Sequence, residues 1–100
     1  MKYMVDEMIE DLASMLMKDS IDCRTVHEWI DGTREKNRKI HDAEVRKFIR
    51  DRKAKGEEIT LITNDYDSWM QIKTDALPVI YVQDVLRDYA RQREKLTSAT

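Results

Sequence analysis

Apolar positions along the chain change their spacing several times, and each change marks the boundary of an element. Tyr3-Met4-Val5 is a short continuous apolar run, as in a buried strand. After Asp6 the spacing becomes helical, with Met8, Ile9, Leu12, Ala13, Met15 and Leu16 on one predicted face. Asp6 is therefore placed where a strand turns into a helix. Ile21 to Val26, bounded by Asp19-Ser20, predicts a second short strand whose inward residues are Ile21, Cys23 and Thr25 or their neighbours. From His27 to His41 the period is lost and Asp31-Gly32-Thr33 signals a turn, which predicts a loop with one helical turn in it. Asp42 is a suitable N-cap for a helix through about Lys55, with Val45, Phe48 and Ile49 inward and Gly56 as the stop.

Ile59 to Thr63 is β-branched and nearly continuous in apolar character, the pattern of a central strand covered on both faces. Asn64-Asp65 ends it, and Asp65 can cap a short helix carrying Trp69, Met70 and Ile72. Pro78 then opens a last strand, Val79 to Val82, and a final helix carries Val85, Leu86, Tyr89 and Ala90, with residues 97–100 expected to fray. The order is strand-helix repeated four times, which predicts one α/β domain over residues 1–96. Its sheet should be four-stranded and mainly parallel, with right-handed crossovers and helices on both faces in three α/β/α layers.

Composition narrows this picture without redirecting it. One hundred residues suffice for a single core and are too few for two, and 41% hydrophobic content is adequate to fill it. The lone Cys23 excludes an internal disulfide and points to core packing in a reducing compartment. Two acids interrupt the apolar start after a few residues, so neither a signal peptide nor a membrane span is expected, and the cytoplasm is the expected location. The six methionines suit an adaptable core rather than a cofactor site. The net charge of −2 conceals a basic segment: Arg34 to Lys55 holds ten Lys/Arg against four Asp/Glu. It is either a solvated helix face or a surface for the phosphates of a nucleic acid, with Arg38, Lys39, Arg46, Lys47, Arg50 and Lys53 as the contacting residues. His27 and Trp29, in the predicted loop, would either stack on a base of such a ligand or, for Trp29, close the core.

The chemistry resides in the acids. An open parallel sheet binds ligands beyond the carboxyl ends of its strands, where the strand order reverses. In a sheet ordered 2-1-3-4, the first strand, ending in Asp6-Glu7, and the third, ending in Asp65-Tyr66-Asp67, are neighbours whose carboxylates converge. Convergent carboxylates repel one another unless a cation neutralises them, and oxygen ligands without Cys or His favour Mg2+ or Mn2+ over zinc. Such sites suit phosphodiester hydrolysis. Each of Asp6, Asp42 and Asp65 also stands at the start of a predicted helix, where capping alone would account for it. Capping does not account so easily for Asp67, within the following turn.

Val5-Asp6-Glu7-Met8 after the first strand, Asp42-Ala43-Glu44-Val45 opening the middle helix, and Leu61-Ile62-Thr63-Asn64-Asp65-Tyr66-Asp67 closing the third strand together resemble the small PIN-like ribonuclease family, in order and over nearly the whole chain. Members hydrolyse RNA with one or two Mg2+ or Mn2+ ions, and several are toxins of the VapC type. The resemblance implies Asp6, Asp65 and Asp67 as metal ligands and catalytic groups, joined by Glu44 or Asp42 from the helix. Glu7 is a second-line candidate, and Thr63 and Asn64 are implied to hold the carboxylates or a water. It further implies RNA as substrate, a possible antitoxin-like partner and a possible homodimer. Two departures stand out: Ser68 occupies the place of the aromatic residue usual after the last acid, with Trp69 one position later, and the loop before the middle helix is longer and more basic. A receiver-like phospho-accepting domain would need a lone aspartate after the third strand and a lysine after a fifth, and neither is present. The competing reading is a catalytically inactive PIN-like module that binds RNA or a protein.

Overall fold

The computed structural model describes residues 1–16 and 22–98, with side chains for 1–15 and 22–94. The elements run β1 (Lys2–Val5), a 3-10 turn (Glu7–Ile9), α1 (Glu10–Leu16), β2 (Asp22–Thr25), α2 (Val26–Ile30), α3 (Asp42–Ala54), β3 (Ile59–Thr63), α4 (Tyr66–Thr74), β4 (Val79–Tyr81) and α5 (Val82–Ser98). Every strand pairing is parallel and the sheet order is β2-β1-β3-β4. The α/β class, the parallel sheet and its order are those predicted from the strand-helix alternation.

Alternation along the strands sends successive side chains to opposite sides of the sheet. Met4, Ile59 and Leu61 enter one core with Val26, Trp29, Val45, Ile49, Ile72 and Leu77, so α2, α3 and α4 cover that face. Tyr3, Val5 and Ile62 enter a second core with Ala13 and Val82, beneath α1 and the start of α5. Helices thus flank both faces. Cys23 packs at the edge of the second core as a free thiol, and burial, followed by Asp22, Glu10 and Glu28, raises its pKa.

Three local expectations are corrected. Residues 26–30 are helical, so His27 and Trp29 belong to α2 rather than to a loop, and both are buried. The helix is started by a capping box, in which Thr25 Oγ1 accepts from the Glu28 N–H (3.1 Å) and Glu28 Oε2 accepts from the Thr25 N–H (2.8 Å). The Trp29 indole donates to the Tyr3 carbonyl at 2.8 Å and the Arg24 guanidinium lies 4.1 Å from its ring centroid, so this ring is part of the core. Met8 and Met15 do not share the inward stripe of α1: they are 86% and 67% exposed, while Ala13 is buried. Ile9, Leu12 and Ala13 keep the i, i+3, i+4 spacing, and the two methionines fall about 100° to one side of it. On α5, Tyr89 is 54% exposed and Ala90 is exposed, because the apolar face of that helix is covered only along its first turns, at Val82 and Leu86.

Ile21 and the side chain of Leu16 lie outside the described residues, and so do residues 99–100 of the predicted frayed tail; Thr97 and Ser98 are helical. Among the described residues, no helix is long and apolar enough to cross a membrane.

Candidate functional site

The carboxyl end of β1 and the amino end of α3 open onto one cavity of about 130 Å3. Its lining is apolar at Val26, Ile40, Val45, Leu61 and Ile72 and polar at Asp6, Glu7, His27, Asp42, Arg46, Thr63, Ser68 and Gln71. Asp6 is placed there by the strand-to-turn transition. Its N–H donates to the Ile62 carbonyl at 3.3 Å, tying the end of β1 to β3, and Oδ1 accepts from the Met8 N–H at 3.1 Å. Asp42 is the first residue of α3, and Val45 and Arg46 follow it at i+3 and i+4, so all three share one helix face.

Glu44, Asp65 and Asp67 lie outside that lining. Glu44, two residues beyond Asp42, is turned to Arg38, whose Nη1 and Nη2 donate to it at 2.8 Å and 2.6 Å while Nη2 also reaches Asp31 at 2.8 Å. This fork holds the Glu44 carboxyl below its ordinary pKa and raises that of Arg38. Asp65 caps α4, with Oδ1 accepting from the N–H groups of Asp67 (3.0 Å) and Ser68 (3.4 Å). Its own N–H donates to Thr63 Oγ1 at 3.0 Å, so Thr63 supports the turn from the cavity side. Asp65 and Asp67 are exposed beside the cavity rather than within its lining. Asn64 accepts from Gln83 Nε2 at 3.0 Å and is exposed. Trp69, Tyr66 and Tyr81 form one cluster, with the Trp69 ring centroid 5.4 and 5.5 Å from the two tyrosines, which are 6.0 Å from each other.

Glu7 lines the cavity but is already engaged. One carboxylate oxygen accepts from both the backbone N–H of His27 (2.9 Å) and its ring Nδ1, while His27 Nε2 donates to the Arg38 carbonyl at 2.9 Å. With acceptors at both ring nitrogens, the imidazolium form is favoured. The His27 pKa is accordingly raised, first by the Arg38 carbonyl and then by Glu7, against the opposing effect of burial. Burial works to raise the Glu7 pKa, and the hydrogen bonds from His27 outweigh it, leaving a net lowering.

Of the proposed phosphate-binding residues, Arg46 lines the cavity, Arg50 pairs with Asp75 at 3.1 Å, Arg38 is occupied as described, and Lys53 donates to the Ala76 carbonyl at 3.3 Å. Lys39 and Lys47 are exposed. Ser68 and Gln71 were not anticipated as cavity residues. Their i, i+3 spacing, continued by buried Ile72 at i+4, was the available signal.

Among the described residues, no group of three or more His, Cys, Asp or Glu is disposed to hold a metal ion. Of the three carboxylates that line the cavity, Glu7 is held by His27, which leaves Asp6 and Asp42. That donor set does not make a closed cage, but it suits Mg2+, which keeps several waters and takes further oxygens from a substrate phosphate. Comparison with family models, with curated proteins and with solved structures finds no match.

Proposed function

We propose that this chain is a PIN-like, Mg2+- or Mn2+-dependent ribonuclease whose centre is the cavity between β1, β3, α3 and α4. The observation that carries the reading is that Asp6, at the end of a central strand, and Asp42, at the start of α3, open onto the same cavity at the carboxyl end of a parallel sheet. Asp6 and Asp42 are the residues that would hold the ion. When bound, such an ion supplies Lewis acidity toward the phosphodiester and helps to activate water. The chain's own contribution is the pair of carboxylates, Asp6 held at the end of β1 and Asp42 exposed at the start of α3, the apolar residues that share the lining and the Asp65-Asp67 turn at the margin. In this reading the substrate is RNA, the location is cytoplasmic, and the protein acts as a toxin restrained by an antitoxin-like partner.

A second reading draws on the separation of the acids. Asp65 is committed to capping and Glu44 to Arg38, which favours a catalytically inactive PIN-like module that retains RNA or protein binding. Incubating the protein with structured and unstructured RNA in Mn2+, beside the Asp6→Asn and Asp42→Asn proteins, separates the two. Cleavage lost in both variants supports the nuclease, and RNA retention without cleavage in any divalent ion supports the module.

A further inference from the structure

The cavity holds more polar capacity than the carboxylate pair employs. Arg46 stands one turn beyond Asp42, the spacing at which an acid and a base on a helix ordinarily pair. Its Nη1 instead approaches Asp75 Oδ2 at 3.7 Å, and its Nε is buried without a hydrogen-bond partner. A buried guanidinium N–H left unmet is unfavourable, so an acceptor belonging to a ligand is the natural complement. α4 contributes Ser68 and Gln71 to the same lining. Ser68 is 8% exposed and is engaged through its backbone N–H, while its hydroxyl has no partner among the described residues; Gln71 is exposed, and its carboxamide bonds no described residue.

A hydroxyl and a carboxamide would also suit the edge of a base. The guanidinium with a free N–H decides for an anionic oxygen, because its planar donors match phosphate. An anion entering alone would meet the negative charge of Asp6 and Asp42, whereas Glu7 is balanced by His27. A cation on the carboxylates would remove that repulsion, and by linkage the anion would strengthen cation binding equally.

We infer that Arg46, Ser68 and Gln71 form an anion subsite facing Asp6 and Asp42, which receives a phosphoryl oxygen of a nucleotide or RNA phosphodiester and binds it cooperatively with a divalent cation. The inference rests on the nuclease reading for its substrate, but binding can be measured without catalysis. Calorimetric titration at constant ionic strength with uridine 3′-monophosphate, inorganic phosphate and uridine, each with and without Mg2+, provides the test.

The monophosphate is expected to bind and uridine is not. Binding of inorganic phosphate as tight as that of the monophosphate would assign recognition to the phosphate alone, in keeping with the subsite. Mg2+ should tighten monophosphate binding by about tenfold, within the usual range of coupling between sites. Arg46→Gln should weaken it by a similar factor and remove the Mg2+ effect, whereas the charge-matched Arg91→Gln on α5 should leave it unchanged. Should Arg46→Gln fail to fold, Arg46→Lys, which keeps the charge and loses the planar fork, and Ser68→Ala carry the same expectation in reduced degree. Uridine binding as tightly as its monophosphate, or affinity indifferent to both Arg46→Lys and Ser68→Ala, would overturn the subsite. Arg46-dependent binding without RNA cleavage would keep the subsite and remove the nuclease reading; RNA cleavage without such binding would do the reverse.

Discussion

Asp42 and Glu44 sit two residues apart in the first turn of α3, yet Asp42 faces the cavity and Glu44 is held by the Arg38 fork. Residues at i and i+2 on a helix lie on different faces, so one helix end can serve a site and anchor a loop. In RNA cleavage assays Asp42→Asn is expected to cost at least about 100-fold, the upper end of what loss of a group supporting a metal costs. Glu44→Gln should leave cleavage within a few-fold and lower the melting temperature slightly, since solvent screens an exposed ion pair. The reverse ranking would move the centre to the Arg38 side of α3.

Capping and chemistry can be separated at Asp6 and Asp65, because asparagine caps nearly as well as aspartate but lacks the charge. Asp65→Ala should destabilise the protein by about 1 kcal/mol in urea melts, through loss of the bonds to the N–H groups of Asp67 and Ser68. Asp65→Asn should restore most of that stability. Cleavage that recovers with stability in Asp65→Asn would make Asp65 a cap and nothing more, whereas Asp6→Asn should stay inactive although folded.

The pairing of β1 with both β2 and β3, and the convergence of Asp6 with Asp42, follow from patterns visible in the chain. Strand alternation orients Met4 and Leu61 toward the face that α3 covers, and Val45 and Ile49 fix which way that helix is turned. Asp42 lies at i−3 from Val45, so its place on the cavity side of α3 was contained in the same periodicity. α2 was not legible by period, because five residues make less than two turns. Its start was legible all the same, as Thr25-Val26-His27-Glu28 is a capping-box sequence. The ties between Glu7, His27 and Arg38 span 20 and 11 residues and leave no local trace.

Ala76 carries a left-handed backbone, φ 56°, at the end of α4. The Leu77 N–H donates to the Ile72 carbonyl at 3.1 Å and the Ala76 N–H to Lys73 at 3.0 Å, the Schellman arrangement that Gly56 adopts after α3. A β-carbon is disfavoured in that conformation, while glycine costs more entropy on folding, so the two effects partly cancel. Ala76→Gly is expected to stabilise the protein by about 0.5 kcal/mol in chemical denaturation. A loss of stability would show that the native backbone accommodates alanine without strain.

The His27 interactions give stability a pH dependence with a defined sign. Its folded pKa lies above the ordinary value of 6.5, so the contribution is complete below that value and is lost as pH rises through the folded pKa. Glu7 acts in the opposite direction: its folded pKa lies below 4.5, so its contribution is present above 4.5 and lost as pH falls through the folded pKa. Together they favour a stability plateau between the two ranges. Thermal melts of the unaltered protein should therefore decline from pH 6 toward alkaline pH more steeply than those of His27→Gln, which cannot titrate. Replacing His27 also leaves Glu7 as a largely buried carboxylate without its ring partner, and side chains in this pair are 7% and 14% exposed. Glu7 keeps the backbone N–H of position 27 but loses a cationic partner, so His27→Gln should be less stable at pH 6, with the difference narrowing as pH rises. Equal slopes in the two proteins would place the titrating charge elsewhere and leave His27 as a neutral packing residue.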